Sequence, residues 1–173
     1  MRESDALENN PHVSRAALEA LHSQLYAWAL SRCDFDHATA EDLMQQTYVE
    51  LLSGNARFDK QSSLKTFVFS VVQNLARSRY RKLATRLRLI RTYEQDAAGE
   101  QVTGEAATED SGVWRTVKAL PARQRDIIEL IFCRDLTVEE ASAVMGVSVG
   151  TGRQHSARAK KALRDRLQEF AEE

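Results

Sequence analysis

The sequence predicts an all-α protein of two small helical domains joined by a flexible acidic linker. Three observations predict it. Apolar residues recur at i, i+3, i+4 spacing through most of the chain. Only 2 prolines and 7 glycines occur in 173 residues, too few for the many turns of a β-sandwich. Residues 96–112 carry five Asp/Glu, no Lys/Arg and no apolar period, and they separate two mildly basic halves. The net charge of -1 conceals that division.

The elements follow in order. Residues 1–12 are polar, reach Pro11 and read as a frayed, disordered tail. Leu18, Leu21, Leu25 and Trp28 mark a first helix. Ala40, Leu43, Met44, Thr47, Tyr48, Leu51 and Leu52 mark a second, capped by Asp36 or Thr39 and ended by Gly54-Asn55. Leu64, Phe67, Val68, Val71, Val72 and Leu75 mark a third, which Leu83, Leu87 and Ile90 extend, with room for one break. Residues 95–112 hold Gly99, Gly104 and Gly112 and read as a flexible tether. Beyond it, Trp114, Val117 and Leu120 form a short helix. Pro121 suits the first turn of the next, which carries Ile127, Ile128, Leu130 and Ile131. Arg134-Asp135 turns the chain, Thr137 to Glu140 spells a capping box, and Ala141, Val144 and Met145 line the helix it opens. Gly146 ends that helix, and Ser148 caps a last one running to about Phe170.

Composition excludes several classes. No apolar run approaches the roughly 20 residues that span a bilayer. Met1-Arg-Glu-Ser-Asp5 has no apolar signal core. Cys33 and Cys133 stand far apart without CxxC spacing, which excludes a disulfide framework or Cys-rich zinc module and suits a reduced cytoplasm. His12, His22, His37 and His155 are scattered, and no HExxH, P-loop or GxSxG occurs, so neither an enzyme nor a cofactor is expected. Cys33 and His37 have i, i+4 spacing but no further ligand pair, so no metal site is expected either.

Two basic clusters point to a polyanion. Arg77 to Arg91 holds seven basic residues and no acid; Arg153 to Arg166 holds six and one acid, Asp165. The second lies in a helix-turn-helix pattern, Leu136 to Leu163. Small Ala141 allows close helix approach, Gly146 suits a left-handed turn, and the second helix is polar and basic near its start. A major groove admits one such helix. The competing reading is a helical hairpin with a solvated basic face. The first cluster is less specific; Tyr80 and Phe69 suit base stacking or a core equally.

Together these motifs resemble the extracytoplasmic-function bacterial sigma factors, the promoter-recognition subunits of RNA polymerase. The resemblance runs from about Leu18 to Leu167. Ala40-Glu-Asp-Leu-Met-Gln-Gln-Thr-Tyr48 resembles the family's polymerase-docking segment. Phe67 to Ala76 resembles its second conserved region, with Phe67 at a usual tryptophan, and Arg79-Tyr-Arg-Lys82 continues it. Leu120-Pro-Ala-Arg-Gln-Arg125 and the helix-turn-helix resemble its fourth region.

The resemblance implies a tail over 1–12, sigma domain 2 over 13–94, a linker over 95–112 and sigma domain 4 over 113–173. It implies that Glu41, Asp42, Gln45, Gln46 and Glu50 meet core polymerase. The loop Arg57 to Ser63 would take a flipped base of the minus-ten element. Arg57, Phe58, Lys60, Ser62, Lys65, Asn74, Arg77, Arg79, Arg81 and Lys82 would contact the minus-ten element, the last five holding the backbone of the melted strand. Ser148, Thr151, Arg153, Gln154, His155, Arg158 and Lys161 would contact the minus-thirty-five duplex, with Thr151 and Arg153 on phosphate. The implied partners are core RNA polymerase, promoter DNA and an anti-sigma factor, with no membrane segment and no homo-oligomer. The acidic linker would enter a positive channel made for RNA, or serve only as a tether.

There are departures from the family pattern. Gly152 and Ser156 stand where aliphatic residues are usual, and Ser78 where an acid is common. Glycine inside a helix costs about 1 kcal/mol against alanine, so the last helix is expected to be loosely held. Two other functions fit the chain less fully. One is a sigma-like decoy or adaptor that binds an anti-sigma factor without promoter DNA. The other is a helix-turn-helix repressor that dimerises through the first bundle.

Overall fold

A computed structural model describes residues 6–93 and 112–171. Among them are seven α-helices and one two-stranded sheet. They sort into two compact units. The first holds the strands, the first two helices and the third helix from Val71 on; the second holds Asp59–Ser70 and the C-terminal helices. The tether expected over 95–112 lies outside the described residues, apart from Gly112 at the start of a helix.

In the first unit, β1 (Ala6–Leu7) pairs antiparallel with β2 (Asn10–Ser14), matching Ala6 to Ser14 and Leu7 to Asn10. The tail expected over residues 1–12 is therefore a hairpin from Ala6 onward. Its anchor is Asn10, which is buried. The Asn10 amide donates to the carbonyls of Leu51 and Ala56, each at 2.7 Å, and its Oδ1 accepts the Phe58 N–H at 2.9 Å. One side chain thus satisfies backbone groups where a helix has just ended. A polar residue next to Pro11 gives no hydropathy signal, so periodicity could not show it.

Ser14 caps α1 (Arg15–Arg32), its hydroxyl accepting the Ala17 N–H at 3.1 Å. Asp36, not Thr39, caps α2 (His37–Leu52), accepting the Thr39 N–H at 2.7 Å. Hydrogen bonds from Thr39, first from its side chain and then from its backbone N–H, hold the Asp36 carboxyl below its ordinary pKa. The two helices bury Leu18, Leu25, Trp28, Ala40, Leu43, Met44 and Leu51. Two residues of the expected α2 stripe leave the core. Tyr48 is half-buried and meets His22 Nδ1 at 2.6 Å, and Leu52 is exposed.

The third helix, α3 (Leu64–Tyr93), is continuous for 30 residues, with no break. Ser63 accepts the Thr66 N–H at 3.1 Å at its start. Val68, Phe69, Val71 and Val72 are buried. From Arg79 to Arg88 every side chain is exposed, so Leu83 and Leu87 do not extend a core stripe.

In the second unit, α4 (Gly112–Lys118) leads to α5 (Ala122–Ile128). Pro121 stands at the N-cap of α5, one residue earlier than expected. A π-helical turn, Glu129–Cys133, continues α5. Buried Glu129 of this turn pairs with half-buried Arg134 just beyond it, Oε1 to guanidinium at 3.0 Å. Thr137 and Glu140 form the expected capping box of α6 (Val138–Met145). Gly146 closes α6 in the left-handed region at φ 64°, which only glycine adopts without steric cost. Ser148 then caps α7 (Val149–Ala171), accepting the Thr151 N–H at 3.1 Å. Ile127, Leu130, Leu136, Val144, Met145 and Ala159 form the core.

Candidate nucleic-acid interface

The best-defined site is one face of α7. At 3.6 residues per turn, Thr151, Gln154, His155, Arg158 and Lys161 fall on one side and Gly152, Ser156 and Ala159 on the other. Burial follows that division. The second set is buried; Gln154, Arg158 and Lys161 are exposed, and Thr151 and His155 are half-buried. Ser148 lies at the N-terminal end of the same face, its hydroxyl 2.9 Å from that of Thr151. First-turn N–H groups and a positive helix end therefore sit beside side chains able to pair with base edges. Arg153 points elsewhere, pairing with Glu139 of α6 at 2.8 Å. Glu139 titrates below its ordinary value, first through its own backbone N–H and then through this guanidinium.

The seat of α7 shows how its small residues are accommodated. Gly152 and Ser156 both face the buried side of the helix. A Cβ built on Gly152 would lie 1.9 Å from the Ser142 hydroxyl. Ser142 is buried and donates to the Val138 carbonyl at 2.6 Å. Small residues on both helices thus match in size, a coincidence that no single-position comparison reveals.

The residues expected at the minus-ten element fall in different settings. In the first unit, Arg57 is exposed, Phe58 is half-buried with its N–H on Asn10, and Asn74, Arg79, Arg81 and Lys82 are exposed along α3. Arg77 is half-buried. Phe69 is fully buried and unavailable for stacking, whereas Tyr80 is 69% exposed. In the second unit, Lys60 and Ser62 are exposed, and Lys60 has a positive φ of 62°. Lys65 donates to the Arg134 carbonyl. Thr66 donates to Glu140 at 3.3 Å. Glu140 is held below the usual carboxylate range, chiefly by the Thr137 backbone N–H.

Glu41, Asp42, Gln45 and Gln46 form an exposed face of α2, with Glu50 half-buried at its edge. Arg79 lies 3.5 Å from Asp42, joining a residue expected at the melted strand to one expected at the polymerase-docking face. Exposed Val49 and Leu52 give the face an apolar end that its charge pattern did not reveal. A recess of about 350 Å³ adjoins it, lined by Leu7, Leu18, His22, Tyr48 and Leu52 among others. No group of three or more His, Cys, Asp or Glu among the described residues could hold a metal ion. No helix of the described residues is long and apolar enough to cross a membrane.

Two family models match this architecture: Sigma-70 region 2 over residues 17–86 and Sigma-70 region 4 over residues 117–165. The ECF RNA polymerase sigma factor EcfG of Rhodopseudomonas palustris is 30% identical over 131 residues, covering 72% of this chain and 68% of that protein. The ECF RNA polymerase sigma factor SigX of Bacillus subtilis is 27% identical over 163 residues, covering 90% and 84%. Among solved structures, the sigma factor RpoE of Bartonella quintana, in complex with the anti-sigma factor NepR, superposes with a TM-score of 0.65 at 26% identity. That match covers 89% of this chain and 96% of the other. CnrH, in complex with the cytosolic domain of CnrY, gives 0.58 at 24% identity over 88% and 86%, a likeness of fold. The class is that of sigma-70-type transcription factors with regions 2 and 4. Within it, the chain belongs to the ECF RNA polymerase sigma factors.

Proposed function

We propose that this chain is an alternative sigma factor that binds core RNA polymerase and directs initiation at two-part promoters. One observation carries the reading. The buried and exposed sides of α7 divide cleanly, with five polar or basic side chains aligned beyond the Ser148 cap. A groove-reading helix has this arrangement, with base-reading residues on the open face and phosphate contacts at the N-terminus.

In this reading residues 113–173 act as sigma domain 4. Gln154, His155, Arg158 and Lys161 read or flank bases of the minus-thirty-five duplex, and Ser148 and Thr151 take phosphate. Arg153 reaches phosphate by exchanging Glu139. Residues 13–94 act as sigma domain 2, and 95–112 as the tether between them. Residues of the loop Arg57 to Ser63, Arg57, Phe58, Lys60 and Ser62 among them, contact a flipped minus-ten base. Asn74, Arg77, Arg79, Arg81 and Lys82 hold the melted strand, and Lys65 is a further contact to the minus-ten element. Glu41, Asp42, Gln45, Gln46 and Glu50 meet basic groups of core polymerase. The chain supplies recognition and no catalytic chemistry, acts in the cytoplasm, and is silenced by an anti-sigma factor, the kind of partner bound to the RpoE relative.

The test mixes the full chain with core polymerase lacking any sigma on a library of genomic promoter fragments. Initiation from a shared two-part motif is expected. Core binding without initiation indicates the decoy. Duplex DNA binding without core binding indicates the repressor. Either outcome removes the sigma reading.

A further inference from the structure

Gly152 stands in the first turn of α7, between Thr151 and the base-reading positions Gln154 and His155. Its inner side faces Ser142 of α6 and Ile127 of α5. A Cβ there would meet the Ser142 Oγ at 1.9 Å, the Ser142 Cβ at 3.1 Å and the Ile127 Cδ1 at 3.4 Å. The first of these is not relieved by a simple rotation. The Ser142 hydroxyl donates to the Val138 carbonyl at 2.6 Å in a buried seam, and turning it away strands a buried donor. Across the outer edge of the same pair of helices, Arg153 reaches Glu139 at 2.8 Å. The N-terminal turn of α7 is therefore seated on α6 at a depth set by two small residues.

We propose that Ser142 and Gly152 are a size-matched pair that positions the recognition helix, and so sets which bases and which element spacing the protein accepts. The inference rests on α7 reading the minus-thirty-five duplex. Neither residue touches DNA; both act through Thr151, Gln154 and His155. A helix lifted by one methyl group carries these side chains with it. Hydrogen bonds to base edges tolerate only a few tenths of an ångström before weakening.

The experiment uses the full chain with core polymerase and a promoter set. The set varies each minus-thirty-five base and changes the spacing between the elements one base pair at a time. Gly152→Ala and Ser142→Val widen the same seam from opposite sides. Both are expected to shift the base preference and spacing optimum in the same direction. Each should also lower initiation at the wild-type optimum by about tenfold, the worth of one well-made base contact. The double variant S142G/G152A reopens the space and is expected to restore the wild-type profile.

Uniform loss across all promoters, or an unchanged profile in a single variant with wild-type helix content, overturns the pairing. So does failure of the double variant to recover the profile, whether or not Gly152→Ala folds alone. If the wild-type chain initiates at no two-part promoter, the sigma reading falls and takes the pairing with it. If the wild type initiates and the variants keep its preferences, only the pairing falls.

Discussion

Along α7, Gly152, Ser156 and Ala159 are buried while Gln154 and Arg158 stand in solvent; along α3 from Arg79 to Arg88, no side chain is buried. Both segments are basic, but of the two only that of α7 has a floor beneath it. The difference matches what each would do. Reading a base edge needs donors and acceptors held to a fraction of an ångström, which requires a helix pinned by its opposite face. Following a phosphate backbone needs charge at roughly the right spacing, which an exposed helix supplies. Support is spent where geometry carries information.

Removing the floor should have the largest effect. Glu129→Ala strands Arg134, a half-buried side chain whose buried Nε already lacks a hydrogen-bond partner. Breaking such a pair costs about 3–5 kcal/mol. The thermal midpoint of the second unit should fall, and amide exchange along α7 should quicken. Exchange at 81–88 should not change, because those residues belong to the other unit. Equal acceleration in both segments would erase the contrast.

The next effect concerns reading itself. Arg158→Ala is expected to cost about 1–3 kcal/mol of promoter discrimination and to relax preference at one base pair of the minus-thirty-five element. Competition between wild-type and single-substitution duplexes on the reconstituted polymerase measures this. A uniform loss over all sequences would make Arg158 a phosphate contact.

A smaller effect is expected at the start of α6, on which α7 rests. Glu140→Gln weakens the capping box, at about 1 kcal/mol. The folded-state pKa of Glu140 is depressed, so its contribution is present above the unfolded-state pKa. It is lost as pH falls through the lower, folded-state value. The wild-type and variant melting points should therefore converge on acidification; a constant gap down to acid pH would show that the charge is not involved.

The smallest effect is on α3. Arg81→Ala should weaken single-stranded DNA binding about equally for all sequences and reduce the salt slope by about 1. Its melting point should stay near wild type, since Arg81 is exposed. Sequence-selective loss there would mean that α3 also reads bases, and would narrow the difference between the two helices.

Much of this was legible in the chain. The caps at Asp36 and Ser148, the box at Thr137 and Glu140, and the turn at Gly146 are local hydrogen bonds or dihedral demands. They involve residues three or four apart, and so show as short motifs. The α7 face followed from the same periodicity. What was misread depends on distant partners. Leu52, Leu83 and Leu87 have core periodicity, but nothing in a helix's own spacing says whether another element arrives to cover it. Asn10 was lost in an apparent tail because its three hydrogen-bond partners lie more than forty residues away.

By itself, then, the sequence determined the helices, their ends, the two basic clusters and the polar face of α7, because each is written in neighbours along the chain. Tertiary structure alone decided which apolar stripes are covered, that Arg153 meets Glu139, and that Gly152 faces Ser142 with no room for a Cβ. Those outcomes turn on distances between helices. Such distances are set by the sizes of facing side chains, and facing side chains are known only once the chain has packed.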